Sequence, residues 1–306
     1  MYPGHWAKVK GDTPAVVNAD TGTAMSWQEL DRRSNQLANL LRSRGLNEGD
    51  HVALLMENHL QFFEVAWAAF RSGLYLTCIN RYLTPEEAAY IVEDSGAKAL
   101  IASAAVTDPD HLLILTPDCP TRLLVRGSAA DWDDYEECVA AQSTEPLARQ
   151  LMGDSMLYSS GTTGRPKGIK RPLTGQSVEE GIPGLDITSP YGFDENSIYL
   201  SPAPLYHAAP FGFCMRTLCL GGTVIMMERF DPVKALEYIE THRVTHSQWV
   251  PTMFVRMLKL DPAERGTFDL SSHRCAIHAA APCPVAVKQQ MMDWWGPIIW
   301  EYYAGT

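Results

Sequence analysis

The sequence lacks any run of basic residues, and its overall charge is acidic. Lysine and arginine together number 25 against 36 aspartates and glutamates, which gives a formal net charge of −11 at pH 7. Because nucleic-acid binding depends on clustered positive charge, this composition argues against a nucleic-acid-binding protein. A small anionic ligand is still allowed, since it needs only one local pocket of hydrogen-bond donors.

The sequence also lacks an uninterrupted apolar segment of membrane-spanning length. The most apolar stretch, residues 208–227, is broken by Arg216 and by two adjacent glycines. Residues 1–10 contain no apolar region of the kind that marks a secretory signal. The seven cysteines are odd in number, scattered and without a C-x-x-C pair, a pattern typical of reduced thiols. We therefore expect a cytoplasmic protein with no integral membrane segment.

What the sequence does contain is ample apolar material in alternating strand-like and helix-like patterns. Hydrophobic residues make up 46% of the 306 residues and charged residues 20%, which excludes a disordered chain. The alternation predicts an α/β fold with a mainly parallel sheet. Segments 107–120 and 171–194, rich in Pro, Gly, Asp and Ser, are predicted to be surface loops. The helices are predicted at 26–44, 58–72, from 84, 211–220, 233–242, 251–260 and 284–295, and the strands at 52–56, 74–79, 99–102, 156–158, 197–201, 223–227, 244–249, 275–278 and 298–302.

One segment, Y-S-S-G-T-T-G-R-P-K-G at 158–168, follows a short predicted strand and differs from its surroundings. Its glycines allow backbone amides to approach an anion, its hydroxyls add donors and Lys167 adds positive charge, a combination that fits a polyphosphate. The spacing of Gly161, Gly164 and Lys167 does not match G-x-x-x-x-G-K-[ST], so a P-loop NTPase is disfavoured. A flexible linker is the alternative, but linkers rarely end in Arg-Pro-Lys-Gly.

At these residues the sequence resembles the adenylate-forming superfamily, which includes acyl-CoA synthetases, firefly-type luciferases and the adenylation domains of peptide synthetases. Four further strings are similar to motifs of that family: P-L-Y-H at 204–207, W-V-P-T at 249–252, A-A-A-P at 279–282 and Y-A-G-T at 303–306. Ala279 and Ala304 stand where the family usually has glycine. The resemblance implies a layered αβαβα sandwich of two mainly parallel sheets with flanking helices. Residues 1–306 would form an incomplete large N-terminal domain, with subdomains at about 1–170 and 171–306 and without the C-terminal lysine-bearing domain.

The resemblance also implies a role for each motif. The loop from Ser159 to Lys167 would hold the β- and γ-phosphates of ATP. Thr162 would contact Mg²⁺ only indirectly, through those phosphates. Tyr303 and Ala280–Pro282 would contact adenine, and Thr306 the α-phosphate. Catalytic roles would fall to Lys167, Thr306 and His207. The nucleotide-binding set is Ser159, Ser160, Gly161, Thr162, Thr163, Gly164, Lys167, Ala280, Ala281, Pro282, Tyr303, Gly305 and Thr306, and the acid pocket would be lined by Tyr206, His207, Phe211, Trp249 and Ala279.

Taken singly, several of these residues have simpler interpretations. In isolation, a histidine such as His207 is more often a core residue than a catalytic one. Aromatic residues such as Tyr303, Trp249 and Phe211 are likewise more often packing residues than ligand contacts. Their order after the loop, each at the end of a predicted strand, favours a ligand site, because ligands bind at strand ends in open α/β sheets. A hydrolase nucleophile at Ser159 or Ser160 is excluded by the absence of a G-x-S-x-G motif.

The reaction that the resemblance implies is attack of a carboxylate on the α-phosphorus of Mg-ATP, followed by displacement of AMP by the thiol of coenzyme A. No aspartate stands at 206–207 to bind an amine, so a substrate without an α-amino group is favoured. The apolar neighbours favour a fatty acid, with aryl or steroid side-chain acids as competitors. Transfer to a carrier protein and a non-catalytic nucleotide-binding remnant are the alternatives. Because the family's magnesium-binding glutamate follows position 306, the chain is expected to bind nucleotide weakly and catalyse poorly. A homodimer is left open.

Overall fold

A computed structural model describes residues 1–159 and 165–304 of the chain. Within them the helices are α1 (Pro3–Lys10), α2 (Trp27–Ser43), α3 (Leu60–Arg71), α4 (Pro85–Ser95), α5 (Pro109–Leu115), α6 (Tyr135–Ala140), α7 (Ala208–Leu220), α8 (Pro232–Thr241), α9 (Pro251–Leu258), α10 (Pro262–Arg265) and α11 (Val285–Trp295). The strands are β1 (Pro14–Asn18), β2 (Ala24–Ser26), β3 (His51–Leu55), β4 (Tyr75–Cys78), β5 (Ala97–Ser103), β6 (Thr121–Val125), β7 (Asp133–Asp134), β8 (Asp154–Ser155), β9 (Leu157–Ser159), β10 (Lys167–Ile169), β11 (Ile198–Ser201), β12 (Thr223–Met226), β13 (His246–Trp249), β14 (Cys275–His278) and β15 (Ile299–Glu301). None of the helices that the structure describes is long and apolar enough to cross a bilayer.

A seven-stranded sheet is built mainly from the second half of the chain, in the order β15-β14-β13-β11-β12-β1-β2. Its strand pairs are parallel except for β1 with β2. One face of this sheet packs on α8, α9 and α11 through a core that includes Leu236, Phe254 and Met291. The carboxyl ends of β11, β13, β14 and β15 consequently lie along one edge of the sheet.

A six-stranded, all-parallel sheet is built from the first half, in the order β7-β6-β5-β3-β4-β8. Its central strand β3 is buried along its whole length, as expected for a parallel strand covered on both faces. Helices α4 and α5 cover the outer face through Ile91, Val92 and Leu112.

The largest core lies between the two sheets. It joins Val16 and Tyr199 of the seven-stranded sheet to Leu54 of the six-stranded sheet through side chains of α2, α3 and α7. The layers are therefore α8/α9/α11, sheet, α2/α3/α7, sheet and α4/α5. This arrangement confirms the predicted αβαβα sandwich with two mainly parallel sheets.

The helices predicted to begin at residues 26 and 84 are capped by those residues in the structure. Ser26 precedes α2, and its hydroxyl accepts a hydrogen bond from the backbone N–H of Glu29 at 3.1 Å. Thr84 and Glu87 form a complete capping box at the start of α4, which satisfies two otherwise unpaired backbone donors. Gly96 ends α4 in the left-handed conformation, with φ at 65°.

Several segments differ from the sequence predictions. Residues 107–120, predicted to be a loop, contain α5, because the Asp108 side chain caps the helix and Leu112 is buried beneath it. Residues 171–194 contain two 3₁₀ helices, Val178–Glu180 and Leu185–Tyr191. The strand predicted at 156–158 corresponds to β9, which begins one residue later and pairs with β10 in a separate two-stranded sheet.

The sheets do not follow chain order throughout. β1, near the amino end, pairs in parallel with β12, so Val16 lies opposite Val224 in the seven-stranded sheet. The sequence predictions include no strand at this position, and β1 is only five residues long. The division into subdomains at about residue 170 stays a prediction.

Candidate active site

The predicted phosphate loop is bracketed by a short antiparallel hairpin. Strands β9 and β10 pair so that Ser159 lies opposite Lys167 and Tyr158 opposite Gly168. The residues between them that were predicted to bind phosphate lie outside the described residues: Ser160, Gly161, Thr162, Thr163 and Gly164. The structure therefore brings together the two ends of the motif, and Lys167 is exposed there.

The base of this hairpin is held against helix α4. The Tyr158 hydroxyl donates to Asp94 Oδ2 at 2.6 Å, and the Tyr90 hydroxyl donates to the carbonyl of Pro166 at 3.3 Å. The Arg165 guanidinium lies over the Tyr90 ring at 5.1 Å from its centroid. Burial and the Asp94 carboxylate raise the pKa of Tyr158, so its hydroxyl keeps its proton and remains a donor. These contacts hold β9 and the two residues just before β10 against helix α4.

The adenine loop and Tyr303 follow neighbouring strands of the seven-stranded sheet. β14 and β15 pair in parallel, with His278 opposite Glu301, so 279–282 and Tyr303 leave the sheet at the same edge. Ala280 has a positive φ of 75°, a conformation that costs a non-glycine residue energy and clusters at functional sites. Ala281, Pro282 and Tyr303 are exposed, while Ala279 is buried. Gly305 and Thr306 lie outside the described residues.

His207 lies at the start of α7, after the carboxyl end of β11, in the N-cap position. Its ring centroid is 4.2 Å from that of Tyr206, and Tyr206 in turn makes an edge contact with Tyr82 at 6.5 Å. Partial desolvation lowers the pKa of His207, which favours the neutral imidazole at neutral pH. Tyr82 follows β4 of the six-stranded sheet, so this aromatic contact joins the carboxyl edges of both sheets.

Two of the predicted acid-pocket residues are packed in cores. Phe211 is 4% exposed, and its ring lies 6.0 Å from Phe62 and 5.9 Å from Phe70. Trp249 is fully buried on the α9 and α11 side, with its ring 5.5 Å from that of Trp295. The structure does not bring Trp249 to the α7 side of the sheet, where His207 lies, because alternate residues of a strand face opposite ways.

The residues that do face α7 from the ends of these strands are Tyr199, Ser201 and Gln248. Tyr199 lies in the core that includes Phe213 and Cys214 of α7. None of these three residues belongs to a predicted site motif, although the period-two alternation of Tyr199 and Ser201 in a short strand is a signal that they share one face of the sheet. Each is almost completely buried.

A charged cleft lies at the carboxyl edge of the six-stranded sheet. It has a volume of about 400 Å³ and is lined by Glu57, Arg81, Tyr82, Ala105, Val106 and Arg126. Glu57 accepts from the Arg126 guanidinium at 2.7 Å, while Arg81 lies over the Tyr82 ring at 4.9 Å. The cleft therefore offers guanidinium groups close to the Tyr82–Tyr206 contact, an arrangement suited to an anion.

No three His, Cys, Asp or Glu side chains of residues 1–159 and 165–304 converge to form a metal site. This result does not bear on Thr162, which was expected to contact Mg²⁺ only through phosphates. Mg²⁺ stays a prediction.

Comparison with known protein families shows to which family the chain belongs. AMP-binding enzymes match residues 4–306. The chain belongs to the AMP-binding enzyme family. Its similarity to known members of that family extends over nearly all of its own length.

Among curated AMP-binding enzymes, a feruloyl-CoA synthase of Amycolatopsis sp is 35% identical over 295 residues, which cover 95% of this chain and 56% of that protein. The long-chain-fatty-acid–CoA ligase FadD13 of Mycobacterium tuberculosis is 28% identical, with 92% of this chain and 55% of that protein covered. The chain thus spans about half the length of the curated relatives that it matches.

Several solved structures share the fold of this chain. The amide bond synthetase McbA from Marinactinospora thermotolerans superposes with a TM-score of 0.81 at 23% identity, covering 99% of this chain and 60% of that one. The inhibitor-bound N-terminal domain of FACL13 from Mycobacterium tuberculosis has a TM-score of 0.79 at 24% identity, covering 100% and 76%. These likenesses confirm the fold class of an adenylate-forming N-terminal domain.

Proposed function

We propose that the protein activates a carboxylic acid with ATP and transfers the acyl group to the thiol of coenzyme A. In the first step a carboxylate oxygen attacks the α-phosphorus, forming an acyl adenylate and releasing pyrophosphate. In the second step the thiol sulfur attacks the acyl carbonyl, AMP leaves, and the thiol proton passes to solvent. Family membership and the relatives named as CoA ligases support this reaction.

The observation that carries the proposal is the convergence of three predicted elements on neighbouring parallel strands. His207 follows β11, residues 279–282 follow β14, and Tyr303 follows β15, in a sheet ordered β15-β14-β13-β11. A nucleotide lying along this edge would have its adenine near Tyr303 and the acid near His207. Ligands bind at such edges of open α/β sheets, because the loops there can converge without disturbing the sheet.

We assign roles to the chain's residues on this basis. Lys167 and Ser159 would position the β- and γ-phosphates, and Lys167 would offset the negative charge that develops on them. Tyr303 would stack on adenine, and Thr306 would donate to the α-phosphate. His207, neutral at physiological pH, would border the carboxylate without adding a second charge. Mg²⁺, carried in by the nucleotide, would neutralise phosphate charge.

Arg81 and Arg126 are proposed to attract the phosphates of coenzyme A. Their cleft opens at the carboxyl edge of the other sheet, and Tyr82 connects it to Tyr206 beside His207. A bound phosphate would compete with Glu57 for Arg126. Phosphate contacts with a guanidinium are charge-assisted and stronger than neutral hydrogen bonds.

The acid itself is proposed to be largely apolar and without an α-amino group. The sequence favoured a fatty acid, whereas the relatives include ligases named for ferulate, for coumarate and for long-chain fatty acids. Acid-dependent exchange of labelled pyrophosphate into ATP tests the reaction class, using coumarate, cinnamate, octanoate and a bile acid in parallel. Exchange that requires one of these acids supports the proposal, and exchange with none of them contradicts it.

A further inference from the structure

The side-chain amide of Asn58 is buried where the carboxyl edges of the two sheets meet. Asn58 lies between β3 and α3 and is 4% exposed. Its Nδ2 donates to the carbonyl of Met227 at 2.8 Å and to the carbonyl of Ala203 at 3.1 Å. Its Oδ1 accepts from the backbone N–H of Leu205 at 2.8 Å. Both amide protons and the amide oxygen are therefore paired at ordinary hydrogen-bond distances.

All three partners of Asn58 are backbone groups that follow strands of the seven-stranded sheet. Ala203 and Leu205 lie between β11 and α7, and Met227 comes directly after β12. Strand β3, which precedes Asn58, belongs to the six-stranded sheet. Buried backbone groups in connecting segments need a partner outside the strand ladders. Asn58 supplies that partner, and it thereby ties the end of one sheet to the ends of two strands of the other.

The same hydrogen bonds hold the turn that carries His207. Ala203 and Leu205 are the residues on either side of Pro204, and they are 4% and 0% exposed. The Pro204 carbonyl accepts from the backbone N–H of His207 at 3.2 Å, which closes a tight turn. His207 then occupies the N-cap position of α7. The path from Asn58 to His207 thus leads through paired backbone from a buried side chain to an exposed one.

The other contacts around His207 restrain it less. Its imidazole makes no capping hydrogen bond to the described backbone of α7. The contact of Tyr206 with Tyr82 also joins the two sheets, but Tyr82 is 66% exposed. An exposed aromatic edge contact restrains a segment less than three buried hydrogen bonds do. Among these contacts, those of Asn58 therefore do most to fix the position of the His207 backbone.

An amide is the side chain that position 58 requires. The carbonyls of Ala203 and Met227 need donors and the N–H of Leu205 needs an acceptor, and asparagine carries both on one short side chain. Aspartate has the same size, but its carboxylate would face two carbonyl oxygens and repel them. Alanine would leave three buried backbone groups without partners, which costs more than the loss of the bonds themselves.

We propose that Asn58 is a positioning residue for the acid site, which acts through Ala203, Leu205 and the turn to hold His207 beside the carboxylate. The inference rests on the proposed function, in which His207 borders the reacting carboxylate. Asn58 acts only through this turn, so its replacement changes the geometry of the site and leaves the reacting groups in place. Misplacement by about 1 Å can lower a rate about 100-fold.

Acid-dependent exchange of labelled pyrophosphate into ATP, with coumarate and octanoate as the acids, tests the proposal in Asn58→Ala and Asn58→Asp. Each variant should lower the maximum exchange rate by at least about tenfold. The Kd for ATP should stay unchanged, because the hairpin at Lys167 and the adenine contact at Tyr303 make no hydrogen bond with Asn58 among the described residues.

Asn35→Ala is the matched control. Asn35 is 3% exposed, and its amide is paired with Asp31 and Arg71 in the layer between the sheets. This variant also loses a buried amide, so it should be less stable, but it should keep the exchange rate of the unchanged chain. Circular dichroism of all variants identifies any that fail to fold.

A second measurement needs no turnover. Partial desolvation lowers the pKa of His207, and a histidine NMR titration follows that pKa. His207→Gln identifies the signal among those of the nine histidines. In both Asn58 variants the pKa of His207 should rise toward 6.5, because a displaced turn leaves the ring better hydrated. In Asn35→Ala the pKa should not change.

The unchanged chain provides a test that does not depend on whether a variant folds. The Leu205 N–H lies outside the helices and strands and is paired with Asn58. Its hydrogen exchange should be at least about 100-fold slower than that of an unstructured peptide. Exchange at the unstructured rate would overturn the inference.

The outcomes separate this inference from the proposed function. An unchanged exchange rate and an unchanged pKa of His207 in both Asn58 variants would overturn this inference alone. Normal exchange in Asn58→Asp, or an equal loss in Asn35→Ala, would show that position 58 matters only for packing or stability, and would overturn it as well. If the unchanged chain shows no acid-dependent exchange while the Asn58 variants raise the pKa of His207, the restraint on His207 is supported and the proposed reaction is contradicted.

Discussion

His246 should make the protein less stable as the pH falls from neutral. The residue is fully buried in β13, with Nδ1 2.8 Å from Thr245 Oγ1 and Nε2 3.0 Å from the carbonyl of Tyr191. The Phe193 ring lies 4.1 Å from its own. Desolvation, together with the positive charge of Arg274, lowers the pKa of His246 from 6.5 to about 4. Protonation therefore has to overcome burial in an aromatic environment.

The direction and magnitude of the change in stability follow from the pKa values of His246 in the unfolded and folded chain. Below pH 6.5 the unfolded chain binds a proton at this histidine, whereas the folded chain binds it only near pH 4, so the free energy of unfolding falls as pH falls between them. The full difference between the two pKa values corresponds to about 3 kcal/mol of unfolding free energy. Between about pH 7 and about pH 5 the loss from this residue is about 2 kcal/mol.

Urea-induced unfolding of the unchanged chain and of His246→Gln, measured at both pH values, tests this prediction. The glutamine amide can donate to the carbonyl of Tyr191 but does not titrate. His51 and His273, whose pKa values burial lowers to about 4 and about 3, add their own losses to both proteins. The variant should therefore lose about 2 kcal/mol less than the unchanged chain. Equal losses in the two proteins would refute the reasoning.

Three substitutions test other parts of the structure. Tyr158→Phe removes the hydrogen bond to Asp94 at the hairpin base and should weaken ATP binding about fivefold, equivalent to about 1 kcal/mol. Tyr238→Phe, which loses a similar bond to Asp20 elsewhere, should bind ATP normally in the same fluorescence titration. Trp249→Ala should lower the free energy of unfolding by about 3–5 kcal/mol, because the side chain is fully buried, whereas Trp300→Ala, 44% exposed, should cost below about 1 kcal/mol. A small loss for Trp249→Ala would show that its ring is not a core element. Arg81→Ala should raise the KM for coenzyme A severalfold with little change in the KM for ATP, while Arg256→Ala, which removes a similar contact over Phe230, should alter neither. Parallel changes in both KM values would argue against a coenzyme A role.

Local signals predicted the alternation of strands and helices and the mainly parallel sheet, whereas the layering of two sheets was implied by the family resemblance. Ser26 and Thr84 mark helix starts through hydrogen bonds that local spacing determines. The apolar run at 52–56 predicted the fully buried β3. β1 was missed because its position depends on pairing with β12, more than 200 residues away in the chain. Such long-range pairing has no local signature.

The sequence predicted which residues of the candidate site lie at the edge of the sheet, because their motifs directly follow strands. It did not predict which face of the sheet a strand side chain points to. The positions of His207, 279–282 and Tyr303 at one edge follow from strand order in a parallel sheet. The orientation of Trp249 toward α9 depends on which face of β13 meets which helix layer, and this is fixed only by packing. The same alternation places Gln248 on the α7 side.

Transfer of oxygen from the acid to AMP tests the central claim most directly. If a carboxylate oxygen attacks the α-phosphorus, that oxygen stays on AMP when the thiol displaces it. Incubation of the chain with Mg-ATP, coenzyme A and heavy-oxygen-labelled coumarate, followed by mass spectrometry of the nucleotide, should give AMP carrying one labelled oxygen per thioester formed. Labelled oxygen in inorganic phosphate, with unlabelled ADP as the nucleotide product, would indicate an acyl phosphate route and contradict the account.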